Sequence, residues 1–96
     1  MVAYGLKETT KYVVLSFFMK SDHVISGQFH VPAATSSAIR PSDALREAGD
    51  FISLVEAKVR GKDGQEREAG FLQIARDAVA WVEFPPPGES WKEGES

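Results

Sequence analysis

Residues 11–20, KYVVLSFFMK, carry apolar side chains at most of their positions. Successive side chains of a strand point to opposite faces, and one face here carries Val13, Leu15, Phe17 and Met19. The other face carries Tyr12, Val14 and Phe18. A half-buried strand alternates apolar and polar residues, so two apolar faces predict cover on both sides, from a barrel layer, a helix or a partner subunit.

The segment HVISGQFHV, residues 23–31, predicts the return strand because apolar residues alternate along it. Gly27 in its middle offers no side chain for packing, which predicts a bulge or a sharp bend such as a barrel corner. Residues 32–41, PAATSSAIRP, have no apolar period and are expected to form a loop.

A short helix is predicted within residues 38–51, AIRPSDALREAGDF. Ser42 suits the N-cap position, and Asp43 lies in the first turn, where the helix dipole favours a negative charge. Gly49 suits the position just past the end of the helix. A helix of about two turns is too short to be stable alone, so Leu45 is expected to dock on the rest of the fold.

A β-hairpin is predicted for residues 50–76. A loop of Lys62, Asp63 and Gly64 places the glycine in the left-handed conformation that a type I turn followed by a bulge requires. This loop sets five cross-strand pairs: Arg60 with Glu66, Lys58 with Glu68, Leu54 with Leu72, Ile52 with Ile74, and Asp50 with Arg76. Opposite charges then meet at the tip and at the base of the hairpin, which makes Asp50 the expected partner of Arg76.

The end of the chain predicts one more strand and a tail. Residues 76–78 are expected to form a tight turn into VAWVEF, residues 79–84. Residues 85–96, PPPGESWKEGES, begin with three consecutive prolines, carry no core pattern, and are expected to be a disordered acidic tail. The predicted organisation is therefore a single small β domain over residues 1–84 followed by this tail.

Composition narrows the functional classes. A chain of 96 residues suits one domain with a thin core, so self-association is a way to bury more apolar surface. The 11 basic and 14 acidic side chains give a net charge of −3, which disfavours a sequence-independent grip on phosphate backbones. The absence of cysteine excludes disulfides and cysteine-ligated zinc. Because no apolar run is long enough for a signal peptide or a membrane span, a soluble cytoplasmic protein without a membrane partner is expected.

Three segments resemble the strand succession of the Sm-like small barrels: ISGQFHV, FISLVEAKV with its hairpin, and FLQIARDAVAWVEF. The chain is also similar to uncharacterised bacterial proteins that share an R-SD-L segment before the third strand. The resemblance covers about residues 11–84. It implies a mainly β fold, a five-stranded Sm-like or SH3-like small barrel with one short helix between strands 2 and 3.

The resemblance also carries expectations about assembly and ligands. Sm-like proteins form rings through edge pairing of their fourth and fifth strands, and they bind RNA with a loop before the third strand and with the turn between strands 4 and 5. That turn corresponds to Arg76 and Asp77, with aspartate where the family usually has glycine. At the first loop, a helix ending at Gly49 and Asp50 stands in place of the family's aspartate, apolar pair and asparagine. The family thus implies a homo-oligomer with RNA as a partner, whereas the net charge disfavours RNA.

The residues that could carry chemistry have simpler explanations. His23 and His30 have no second histidine or cysteine at ligand spacing, so structural roles are favoured over metal binding. Capping and pairing explain Asp43 and Asp50 better than acid–base catalysis does. We therefore expect no catalytic residue, no metal and no cofactor.

Two groups of residues are candidates for binding. Those around the helix and the last turn are Arg40, Asp43, Asp50, Arg76 and Asp77. Those on apolar strand faces, candidates for an oligomer interface, are Tyr12, Val14, Phe18, Val79 and Trp81. The favoured function is a non-enzymatic, self-associating small β-barrel that acts as a scaffold or interaction module. The alternatives are an Sm-like ring that binds RNA and, more distantly, a small-ligand binder or enzyme that uses Arg40, Asp43, Asp50 and Arg76.

Overall fold

A computed structural model of the protein describes residues 9–84 and 91–93, most of which lie in one antiparallel sheet. In chain order the elements are strands β1 (Thr10–Met19) and β2 (Val24–Pro32), helices α1 (Ala33–Ser36) and α2 (Pro41–Arg46), strands β3 (Phe51–Arg60) and β4 (Glu66–Ala75), a 3-10 turn (Arg76–Ala78), and strands β5 (Val79–Glu83) and β6 (Lys92–Glu93). Among the described residues, no helix is long and apolar enough to cross a bilayer.

The strands lie in the order β4-β3-β2-β1-β5, and β6 pairs with the same edge of β1 that β5 uses. β4 and β5 are therefore the outer strands of the sheet. No pairing between them closes the sheet within the described ranges. The mainly β class and the five predicted strands are confirmed, whereas strand pairing does not show a closed barrel.

The core lies on one face of the sheet, to which the alternation of β1 directs its apolar side chains. Val13, Leu15 and Phe17 are completely buried there. They belong to one cluster with buried residues of the other strands and of α2: Ile25, Phe29, Val31, Ala44, Leu45, Ile52, Leu54, Ala57, Val59 and Ile74. Burial of this apolar surface is the main source of stability for so small a sheet. The predicted docking of Leu45 on the rest of the fold is thus confirmed.

Gly27 marks a close approach of β2 to β3. A Cβ atom at Gly27 would lie 3.0 Å from the Cβ of Leu54 and 3.3 Å from the Cβ of Ala57. Both atoms are attached directly to strand backbone and cannot move aside without moving the strand. The glycine is therefore required by the distance between the two strands rather than by its own backbone angles.

β3 carries the extra residue of a bulge at this point. Ser26 pairs with Lys58 and Gln28 with Val55, so two steps along β2 match three along β3. Within that stretch Glu56 adopts a φ of 53°, in the left-handed region that residues other than glycine rarely occupy. A bulge increases the local twist and bends its strand. The bulge predicted from the mid-strand glycine is confirmed, with the extra residue on the partner strand.

The predicted register of the β3–β4 hairpin is confirmed. Its pairs include Arg60 with Glu66, Lys58 with Glu68, Leu54 with Leu72, and Ile52 with Ile74. Gly64 has a φ of 87° and donates its N–H to the carbonyl of Gly61 at 2.9 Å. The Asp63 carboxylate accepts the N–H of Gln65 at 3.0 Å. The glycine and the aspartate together define the three-residue loop, and the loop defines the register.

The region between β2 and β3 differs from the prediction. Residues Ala33–Ser36, expected to be a loop, form one helical turn in which the last serine donates its hydroxyl to the first alanine's carbonyl at 2.8 Å. Helix α2 begins at Pro41, so the N-cap is Arg40 and not Ser42. Proline has a fixed φ that suits the first helical position and lacks the N–H that would need a partner there. The helix therefore starts two residues earlier than expected.

β5 contains a bulge that changes which residues share a face. Phe18 pairs with Trp81, but the next residue of β1, Met19, pairs with Val79, so Ala80 is extra. Trp81 is exposed, whereas Val79 packs against the core. Strict alternation predicts that these two side chains share the outward face, and this is wrong because alternation fails at a bulge.

The predicted disordered tail is described only at residues 91–93. Trp91 packs against the core, and Lys92 and Glu93 pair with Tyr12 and Lys11 of β1. At these three residues the predicted disorder is wrong, because they lie on the sheet. The rest of the tail, and residues 1–8 of the predicted domain, lie outside the described residues.

We predict that Gly27→Ala lowers the free energy of unfolding by about 1–3 kcal/mol, because an added methyl group overpacks the contact between β2 and β3. The matched control is Gly70→Ala on β4, where an added Cβ meets no atom within 4 Å. This control is expected to change stability by less than about 0.5 kcal/mol. Urea unfolding followed by circular dichroism measures both. Equal effects of the two variants would contradict the close approach.

Candidate functional site

The Arg76 side chain lies at the C-terminal end of α2. Its Nε donates to the carbonyl of Gly49 at 2.6 Å, and its Nη2 donates to the carbonyls of Leu45 at 2.6 Å and Arg46 at 3.1 Å. Its backbone N–H donates to the carbonyl of Asp50 at 2.8 Å. The first residue after β4 therefore joins the end of the helix to the residues that lead into β3.

This arrangement shows why an arginine is suited to position 76. The last carbonyls of a helix have no partner within the helix, and its C-terminal end carries a partial negative charge. A guanidinium satisfies both needs, because it donates in a fixed fork and is always charged. The predicted ion pair between Asp50 and Arg76 is wrong, since the guanidinium is directed to carbonyl oxygens and not to that carboxylate. Arg76 is thus engaged in joining parts of the fold.

Asp43 is the centre of a second cluster, on the exposed side of α2. Its Oδ2 lies 3.4 Å from Nε of Arg40, and its Oδ1 accepts a hydrogen bond from Nη1 of Arg46 at 3.0 Å. Both arginine side chains are more than two-thirds exposed, so water and salt screen these pairs. The cluster therefore supports the short helix only weakly, through contacts one turn apart.

The five predicted binding residues do not form one site. Arg40 and Asp43 border a shallow depression of about 480 Å³ that Trp91 and the connection between α1 and α2 also line. Asp50 and Arg76 lie at the opposite end of α2, and Asp77 is exposed in the 3-10 turn. Among the described residues, no group of three histidine, aspartate or glutamate side chains could hold a metal ion. The candidate residues are therefore divided between the border of the depression, the C-terminal end of α2 and the 3-10 turn.

The predicted interface residues lie on the face of the sheet opposite the core, with one exception. Phe18 stacks on Trp81 with ring centroids 4.7 Å apart, and Tyr12 stacks on His30 at 5.0 Å. Val14 lies between these two stacks along β1 and is exposed. The exception is Val79, which packs against the core. The outer face of β1 and β5 thus forms an aromatic surface.

Sequence reasoning missed two large exposed side chains on the hairpin. Phe71 on β4 is 63% exposed, and Phe51 at the start of β3 is 59% exposed. A signal was present for Phe71, because alternation along β4 puts it on the same face as Gln73 and on the face opposite Leu72. The two outer strands therefore each present an exposed aromatic residue, Phe71 on β4 and Trp81 on β5.

His30 belongs to a half-buried hydrogen-bonded row on the outer face. Its Nε2 donates to Oε1 of Gln28 at 2.8 Å, and its Nδ1 lies 2.9 Å from the hydroxyl of Thr10. The neutral ring satisfies both contacts, with Nδ1 accepting from the hydroxyl. Burial lowers the pKa of His30 below 6.5, because desolvation disfavours the charged imidazolium. His30 is a structural histidine, stacked on Tyr12.

Comparison of the chain with models of known protein families, with curated proteins and with solved structures gave no significant match. Function is therefore inferred from the geometry of this chain alone. The features that support an inference are the two outer strands with their exposed aromatic residues and the segment 91–93 on the edge of β1.

We predict that Arg76→Gln lowers the free energy of unfolding by about 2 kcal/mol, because it removes charge-assisted hydrogen bonds to helix carbonyls. Arg67→Gln, on exposed β4, is the matched control and is expected to cost less than about 0.5 kcal/mol. Asp50→Asn combined with Arg76→Gln is expected to be additive in urea unfolding. A coupling energy of about 1 kcal/mol or more between those two substitutions would show that Asp50 and Arg76 do form an ion pair.

We predict a pH dependence of stability that originates at His30. Because its pKa is lower in the folded state, the unfolded chain binds more protons as the pH falls below 6.5. The contribution of the neutral His30 ring to folding stability is complete above pH 6.5. It is lost as the pH falls towards the pKa that His30 has in the folded state, which is below 6.5. Urea unfolding at a series of pH values from neutral to mildly acidic is therefore expected to show a smaller decrease in His30→Gln than in the wild type. Parallel decreases in the two proteins would contradict this assignment.

Proposed function

We propose that this protein is a non-enzymatic, self-associating β module that acts as a scaffold or interaction module. The observation that carries the proposal is the pairing state of the two outer strands. β4 and β5 each have one edge without a partner strand in the described residues, and each carries an exposed aromatic side chain. Unpaired strand edges bind other strands readily unless they are blocked.

Phe71 and Trp81 belong to the same face of the sheet. Phe71 pairs with Val55, Val55 with Gln28, and Gln28 with Val14, so these residues occupy successive positions across the sheet. Val14 shares the outer face of β1 with Phe18, on which Trp81 stacks. Joining β5 of one copy to β4 of the next would bring the two aromatic side chains onto one continuous surface. Such a head-to-tail contact closes into a ring when its rotation permits.

The two halves of β4 differ in charge. The first half of the strand carries Glu66, Arg67 and Glu68, whereas the second half, residues 69–75, carries no charged side chain. On β5 the only charged residue is Glu83 at its end. Charged residues on an edge strand discourage pairing, so we place the contact at the second half of β4. The bend at Gly27 and the strand order support a small barrel of the Sm-like or SH3-like type as the unit that assembles.

We predict that the wild-type protein is an oligomer at micromolar concentration and that Trp81→Lys and Phe71→Lys are folded monomers. Each substitution places a charge in one half of the proposed contact. Phe51→Lys is the matched control, since Phe51 is about as exposed but lies on the inner strand β3. Size-exclusion chromatography with light scattering gives the mass, and circular dichroism gives the fold.

A mixture of Trp81→Lys and Phe71→Lys tests the head-to-tail geometry directly. The mixture retains one intact contact, between β4 of the first variant and β5 of the second, and is expected to form a one-to-one dimer and nothing larger. A monomeric wild type, or variants of unchanged mass, would overturn the proposal. Adding an RNA pool to the wild-type protein distinguishes a scaffold from an RNA-binding ring. RNA binding that survives moderate salt would favour the RNA-binding ring.

A further inference from the structure

The C-terminal residues Trp91, Lys92 and Glu93 form a strap, the name we use for this segment, on the edge of β1. β5 covers the part of that edge from Ser16 to Met19, and the strap pairs with Tyr12 and Lys11. Between Glu83 and Lys92 the chain advances nine residues, while their partners on β1 advance only four. The strap is therefore a separate strand addition and not a continuation of β5.

Trp91 anchors the strap beside the core. Its Nε1 donates to the carbonyl of Ile39 at 2.9 Å, and its ring stacks near Phe29 with centroids 6.5 Å apart. The ring also borders the depression formed by the connection between α1 and α2. An indole in this position has its apolar surface partly covered and its single donor satisfied. The contact combines an aromatic anchor with two strand pairs, which is how sheet edges recognise extended peptides.

We infer that the β1 edge and the cleft beside Ile39 form a peptide-binding site for a tryptophan followed by an extended segment. In this structure the chain's own strap fills the site. We further infer that the strap of a second copy is the partner the site accepts from outside. The sequence of the strap already matches the site, and when two copies exchange straps, each site is filled by the same three residues as before. This inference does not depend on pairing between β4 and β5.

Exchange requires the strap to leave its own site. Among the described residues, its contacts include the strand pairs of Lys92 and Glu93 with β1 and the anchoring side chain of Trp91, and the sequence that connects it to β5 is PPPGES, residues 85–90. Tethering raises the effective concentration of the strap at its own site and so keeps the site filled. A free peptide of the same sequence should therefore compete poorly with the wild-type strap and bind well once the strap's anchor is removed.

The first test uses full-length Trp91→Ala protein and a fluorescein-labelled peptide of residues 85–96. Fluorescence anisotropy is expected to show binding at least tenfold tighter than that of the same peptide with alanine for tryptophan. The wild-type protein, whose site is filled, is expected to bind the tryptophan peptide at least tenfold more weakly than Trp91→Ala does. If circular dichroism shows that Trp91→Ala is unfolded, Trp91→Phe takes its place. Equal binding of the two peptides to a folded variant would overturn the site.

The second test identifies the second copy as the partner. The protein has no cysteine, so single cysteines can be introduced without background. Tyr12→Cys and Lys92→Cys proteins, mixed and mildly oxidised, are expected to form a disulfide-linked heterodimer at least ten times faster than Lys20→Cys with Lys92→Cys. Equal rates would overturn exchange between copies. The same heterodimer is expected when Trp81→Lys is added to both chains, which separates this result from the proposed edge pairing.

Discussion

At Gly27 the backbone of β2 lies so close to β3 that no room remains for a methyl group, and the pairing of the two strands depends on this contact. The extra residue of β3 lies beside it, and the bulge bends the strand while the register continues on both sides. A bent sheet can place β1, β2 and β3 around one small set of apolar side chains. A chain of 96 residues forms only a thin core, so the complete burial of Val13, Leu15 and Phe17 on β1 is a large part of it.

The connection between β2 and β3 depends on a second contact, made by Arg76. Helix α2 has six residues, too few to be stable through its own hydrogen bonds. Leu45 provides apolar burial on one side of the helix, and the guanidinium of Arg76 provides donors for its last carbonyls. The exposed pairs around Asp43 add little, because they are screened by water. Arg76 therefore stabilises the junction between this segment and β3, whereas Arg40 and Asp43 lie on the border of the shallow depression.

Local rules identified the parts of the fold that one or two residues determine. The turn chemistry of Asp63 and Gly64 fixed the hairpin register, and the missing side chain of Gly27 indicated the bulge. The sequence did not reveal features that depend on the rest of the molecule. Alternation of apolar and polar residues does not predict the extra residue Ala80 in β5. No local pattern predicts that Trp91 donates a hydrogen bond to the carbonyl of Ile39, more than fifty residues away. Much of the candidate surface therefore became visible only when distant strands were placed side by side.

The edges of this sheet have different partners, and this difference separates the two proposed associations. The edge of β1 is filled from within the chain, by β5 at one end and by the strap at the other. The outward edge of β5 and the outward edge of β4 are the ones without a partner strand in the described residues. Pairing of β4 with β5 extends the sheet between copies, whereas exchange of the strap replaces an existing strand without lengthening the sheet. Because the two proposed associations would use different backbone groups, neither would exclude the other, and loss of one would leave the groups needed for the other unchanged.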